Sequence, residues 1–116
     1  MPNYSKISIS PEARVELHDV LGLTGAEVSI NNLPAGAGVP FVHSHKQNEE
    51  IYAVLSGRGS IKLDCETVDL NAGDWLRVAP EVKRQISAAA DCPISFICIQ
   101  VKAGSLDGFT MTDAVV

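Results

Sequence analysis

The chain has 116 residues, of which 46% are hydrophobic and 20% charged, and a formal net charge of −5. That length suits one domain with a single core, and the ordinary proportions of apolar and charged residues argue against a disordered chain. The acidic balance excludes a broad basic face for nucleic acid or an anionic membrane, and no apolar run approaches membrane-spanning length.

The first residues lack a charged stretch followed by an apolar one, so no secretory signal is expected. The three cysteines, Cys65, Cys92 and Cys98, are odd in number and follow no pattern. Reduced thiols and a cytoplasmic location are the expectation. Cys98, in a strongly apolar run, reads as a buried small hydrophobe.

In chain order, Ile7 and Ile9 alternate with serines, as in a short edge strand or an ordered arm. Ser10-Pro11-Glu12 has the form of a helix start, and Ala13, Leu17, Val20 and Leu21 share a helical face that Gly22 could close. Val15 and Leu17 also alternate like a strand; a short helix is the preferred reading. From Gly25 the period becomes two, and residues 26–33 read as a strand ending in the Pro34–Gly38 loop.

Further strands are expected over Phe41–His45 and Glu50–Leu55. A tight turn follows at Ser56-Gly57-Arg58-Gly59, then an alternating run through Ile61 and Leu63. A turn near Asp64–Glu66 leads to Val68 and Leu70, and Asn71–Asp74 turns again. Trp75–Ala79, Arg84–Ala88 and Ile94–Lys102 complete the set, the last apolar on both faces. The tail from Gly104, with Leu106, Phe109, Met111 and Val115-Val116, is expected to pack over a sheet edge or onto a partner. Many short strands with closely spaced turns argue an all-β sandwich or barrel.

The informative stretch is Val42–Gly57. His43 and His45 are separated by one residue, so on a strand they share a face. Glu50 opens the next apolar run. Two imidazoles and a carboxylate converging from neighbouring strands are a donor set for a divalent metal. A His-x-His pair alone is more often structural; the addition of Glu50 and Gly57 at these spacings points to a shared pocket. By period two, Tyr52 and Val54 follow Glu50 on its face, where they either line the cavity or fill the core.

These residues resemble the first motif of the cupin superfamily: His-x-His, then a glutamate, then a glycine after six intervening residues, matched by His43, His45, Glu50 and Gly57. The second motif resembles Gly73-Asp74 with Pro80, then departs, because Glu81 stands at a glycine position and Arg84 at the second-motif histidine. The resemblance implies a double-stranded β-helix, or jelly-roll barrel, over residues 26–101, with an N-terminal helix or arm over 1–25 and a tail over 102–116. It also implies a metal on His43, His45 and Glu50 (iron, manganese, zinc or nickel), no organic cofactor, and a homodimer.

If the resemblance holds, Arg84 points into the same pocket. Guanidinium has five donors, no acceptor and a permanent charge, so it cannot be a metal ligand. Three arrangements remain open. The metal stays on His43, His45 and Glu50, and Arg84, with Tyr52, binds an anionic substrate. The metal is lost and Arg84 pairs with Glu50 inside the barrel. Or Arg84 turns to solvent and the metal site is weak.

His18 is expected at the surface or a helix end, with replacement of the missing ligand as the sharper alternative. Glu49 is expected to be solvated, and Trp75 to pack at a barrel end or a dimer contact. The orientation of Gln100 is open. The expected function is binding of a small, anionic molecule in the barrel, with a metal-dependent oxidation (dioxygenase-like) or isomerisation as its chemistry. The rival is a non-enzymatic binding or interaction module with an Arg84–Glu50 pair and no metal.

Overall fold

The structure is a computed structural model that describes residues 3–110 and 112–115. Its elements are β1 (Arg14–Glu16), α1 (His18–Leu21), β2 (Glu27–Leu33), β3 (Asn48–Leu63), β4 (Glu66–Asn71), β5 (Trp75–Val78), β6 (Arg84–Ala88) and β7 (Ile94–Lys102). All strand pairs are antiparallel, and together they form an open jelly-roll barrel.

The barrel is organised by β3, a 16-residue strand. Its first half pairs with β7 on one edge and β5 on the other; its second half pairs with β6 and β4. Outside β7 lie β2 and then β1. The two halves carry two sheets that fold toward each other, and the core between them includes Val54, Ile61, Leu70, Val78, Ile94 and Phe96. Burying one such side chain stabilises the fold by about 1.5–3 kcal/mol, so a core of this size can hold a small barrel without disulfides.

The continuity of β3 corrects the tight turn expected at Ser56–Gly59. Leu55 is an extra residue between the Val54–Phe96 and Ser56–Ser95 pairs, and such a bulge sharpens the twist. Gly57 then takes φ +80, and a Cβ there would lie 1.8 Å from the Pro93 carbonyl oxygen. Only glycine tolerates both the left-handed backbone and that approach. The strand therefore bends from one sheet into the other without reversing.

The N-terminal helix expected from residue 11 is replaced by β1 followed by the single turn α1. Val15 and its neighbours pair with β2, so tertiary pairing overrides the local helix signal. Gly22 does close α1, in the left-handed conformation at φ 68. Phe41–His45 is not a strand either. It meets β6 only through the isolated His43–Arg84 bridge, and the approach before it through the Gly38–Ser87 bridge and the Gln85 side chain donating to the Val39 carbonyl.

Residues 3–10 are exposed and form no strand. Leu106, Phe109 and Val115 are also exposed, so the tail does not pack on its own sheet; Met111 and Val116 lie outside the described residues. Trp75 is 69% exposed on β5 rather than packed at a barrel end. Among the described residues, no helix is long and apolar enough to cross a membrane.

Candidate metal and ligand site

Strand alternation and register build the site as rows across the inner face of the sheet. One row runs from Glu27 through Gln100 to Glu50, and the next from Glu16 through Ser29 and Cys98 to Tyr52. A third runs from Arg14 through Asn31 and Phe96 to Val54. The facing wall is the irregular segment that carries His43 and His45. It is tied to β6 and its approach by His43 N–H donating to the Arg84 carbonyl, Arg84 N–H donating to the His43 carbonyl, and His45 N–H donating to the Pro80 carbonyl. Between the walls is a cavity of about 550 Å³, lined by the residues of these rows other than Val54, which fills the core, and by His43, His45, Arg84, Val39, Phe41 and Ile86. That lies inside the range of roughly 300–1,000 Å³ common for small-molecule sites.

Glu50 sits at the centre and is 4% exposed. Arg84 Nη1 and the Tyr52 hydroxyl both donate to its Oε1, each at 2.8 Å, and the Cys98 thiol donates to Oε2 at 3.4 Å. Burial alone would favour the neutral acid, but the bonds from Arg84, Tyr52 and Cys98 and the nearby His45 outweigh it, holding the carboxyl below its ordinary range. Burial and the same carboxylate push the Cys98 thiol up to about 12 and the Tyr52 phenol higher still. Both groups therefore remain protonated donors.

Arg84 has no exposed surface. Besides Glu50 it donates through Nη2 to the carbonyls of Ala79, Pro80 and Val82, and through Nε to Val82. It does not turn to solvent. The Arg84–Glu50 pairing is present, and most of the guanidinium's donors face backbone rather than the cavity.

The imidazoles complete the cluster. His43 Nε2 lies 3.8 Å from Glu50 Oε1, and His45 Nε2 lies 3.3 Å from Glu50 Oε2. The second approach lacks hydrogen-bond geometry, leaving His45 Nε2 and His43 Nδ1 buried without a partner. Burial, helped by His45 and Arg84 and opposed by Glu50, lowers the His43 pKa, so His43 stays neutral, which is the form that binds metals.

One donor atom from each of His43, His45 and Glu50 lies within 4.8 Å of the other two. Two ligands at about 2.1 Å from a metal stand about 3.0 Å apart in an octahedron and about 3.4 Å apart in a tetrahedron. The 3.3 Å edge between His45 and Glu50 matches that spacing. The donors fit a divalent metal, with Oε2 as the Glu50 atom left for it once Oε1 is saturated by Arg84 and Tyr52.

Other residues fall in place around this cluster. His18 opens α1, pairs with Asp19 at 2.8 Å, and does not line the cavity. Gln100 points inward, accepting from Asn48 at 2.7 Å. Glu49 is half-buried and paired with Arg77 at 2.6 Å, which corrects its expected solvation. Sequence reasoning missed the role of Cys98 and the polar wall of Arg14, Glu16, Ser29 and Asn31. The period-two polar residues Ser29 and Asn31 in an otherwise apolar strand were the available signal.

A jelly-roll barrel with a His-His-Glu cluster at its centre is a protein of the cupin class. A family model described as the cupin domain matches residues 30–100, and the chain belongs to that family. A crystal structure of a cupin protein from Bacteroides fragilis is 73% identical, with a TM-score of 0.97, covering 100% of this chain and 98% of that one. An uncharacterised protein of Methanocaldococcus jannaschii is 32% identical over 66 residues, which is 57% of this chain and 52% of that protein. The chain thus spans about half the length of that relative. A cupin-superfamily sugar phosphate isomerase from Silicibacter pomeroyi is 22% identical, with a TM-score of 0.68, covering 83% of this chain and 68% of that one, a likeness of fold.

Proposed function

We propose that this protein binds a small molecule in its barrel cavity beside a divalent metal held by His43, His45 and Glu50, and that any chemistry it performs depends on that metal. The observation that carries the reading is the buried, partnerless His45 Nε2 at 3.3 Å from an ionised Glu50, with a His43 donor atom within 4.8 Å of both. Buried polar groups without partners are rare in native structures, and a cation among these three donors supplies what they lack. Two imidazoles and one carboxylate suit iron, manganese, zinc or nickel.

The other reactive groups beside this cluster support the dependence. Tyr52 and Cys98 are held protonated, and Arg84 is tied to Glu50 and backbone carbonyls. None of the three is poised as a base or nucleophile near neutral pH. Arg84 and Tyr52 are thereby assigned to positioning Glu50 rather than to gripping substrate. When bound, the metal supplies Lewis acidity with open positions for an oxygen-bearing ligand, chemistry suited to isomerisation or oxidation of a small molecule. The apolar lining from Val39, Phe41 and Phe96 would exclude water from the ligand.

A second reading is favoured by the saturation of Glu50 Oε1: a binding module in which Arg84 has replaced the metal's role of neutralising the carboxylate. Metal analysis of protein purified without a histidine tag or chelator separates the two. Close to one equivalent of metal in the parent, lost in His43→Ala/His45→Ala, supports the metal reading. Equal trace metal in both proteins, unchanged after incubation with each of the four ions, would refute it in favour of the module.

A further inference from the structure

We propose that Arg14, on the N-terminal strand β1, is the residue that reads a carboxylate on the ligand. This rests on the reading of the barrel cavity as a ligand site, though not on the metal. Two arginines line that cavity, Arg14 and Arg84. Arg84 is fully buried and tied to Glu50 and three backbone carbonyls, so it offers an incoming anion little. Arg14 differs on each count.

Its register opposite Asn31 turns it onto the inner face of the sheet. Arg14 Nη1 donates to Asn31 Oδ1 at 2.8 Å, and Asn31 Nδ2 donates to Ser29 Oγ at 3.0 Å. Asn31 and Ser29 are themselves buried, so this relay holds one edge of the guanidinium against a fixed wall. Nη2 has no acceptor among the described residues. A guanidinium anchored on one edge and open on another is the arrangement that meets a carboxylate with paired hydrogen bonds.

Glu16 is the built-in competitor. Its Oε1 accepts from Arg14 Nε at 3.1 Å, and the two side chains are 60% and 54% exposed. An ion pair that open contributes little to stability, so a ligand carboxylate can displace it. Arg14 and Glu16 lie before the residues matched by the family model, which begins at 30. The discrimination would thus be supplied by the N-terminal strand rather than by the shared barrel.

The test uses full-length, metal-free protein, so that a metal cannot capture the carboxylate. The probes are 4-phenylbutyrate and its neutral twin 4-phenylbutyramide, with binding followed by NMR shifts of cavity residues. The acid should bind about tenfold or more tightly than the amide, the size of one charge-assisted hydrogen bond. Arg14→Gln should abolish the difference while leaving amide affinity unchanged, and Arg14→Lys should keep only part of it. Glu16→Gln should act in the opposite direction and tighten acid binding. No preference for the acid in the parent, a preference surviving Arg14→Gln, or an unchanged affinity in Glu16→Gln would each overturn the proposal. Failure of the metal reading would show separately, in the metal analysis.

Discussion

Replacing Arg84 by methionine removes a guanidinium that has no exposed surface and leaves Glu50, itself 4% exposed, without its counter-charge. Breaking a buried ion pair from one side costs about 3–5 kcal/mol, because the remaining charge stays desolvated and unpaired. The carbonyls of Ala79, Pro80 and Val82 lose a donor as well. These carbonyls belong to partly exposed residues, so water can replace some of the loss. The expected destabilisation is about 4 kcal/mol, a large share of the roughly 5–15 kcal/mol that holds a domain folded. Urea unfolding followed by circular dichroism measures it. Adding Glu50→Gln removes the stranded charge and should return about 2 kcal/mol, a coupling typical of residues in direct contact. Arg84→Lys, which keeps the charge and loses the planar fork, should fall between parent and Arg84→Met. A loss below about 1 kcal/mol in Arg84→Met, or no recovery on adding Glu50→Gln, would show that the pair does not hold the barrel as argued.

The metal-free protein should be acid-labile. His43 titrates below its ordinary 6.5 in the fold, chiefly through burial, so the unfolded chain takes up that proton first and stability falls as pH drops through the region below 6.5. Glu50 also titrates below its ordinary 4.5, because its hydrogen bonds outweigh burial, so its contribution is lost in turn as pH falls through its lowered value. The urea midpoint should therefore decline from pH 7 downward; a midpoint that rises toward pH 5 would contradict the His43 assignment, and one that stays level as pH falls below 4.5 would contradict the Glu50 assignment. Gly57→Ala should prevent folding, since the new Cβ would meet the Pro93 carbonyl oxygen at 1.8 Å. Gly73→Ala has open space and only an unfavourable φ of 93, and should cost about 1–2 kcal/mol, as read from its thermal midpoint.

Period-two alternation was enough to delimit β6 and β7 and to place Glu50, Tyr52 and Val54 on one face, because a strand's side-chain direction is a local property. The spacing of His43, His45, Glu50 and Gly57 likewise carried the barrel and its centre. What remained illegible depended on contacts between distant segments. Ser56–Gly59 has the composition of a turn, and only the approach of Pro93 decides that Gly57 bends a continuous strand instead. Val15 serves a helix or a strand equally well until β2 offers it a ladder. Arg84 could be placed in the pocket from the motif, but its task depended on where the carbonyls of Ala79, Pro80 and Val82 came to rest. A guanidinium serves whichever acceptors surround it, and tertiary structure alone supplies those. For the same reason the cation left open to the cavity is Arg14, on a strand whose inward face is set by its pairing with Asn31 and Ser29.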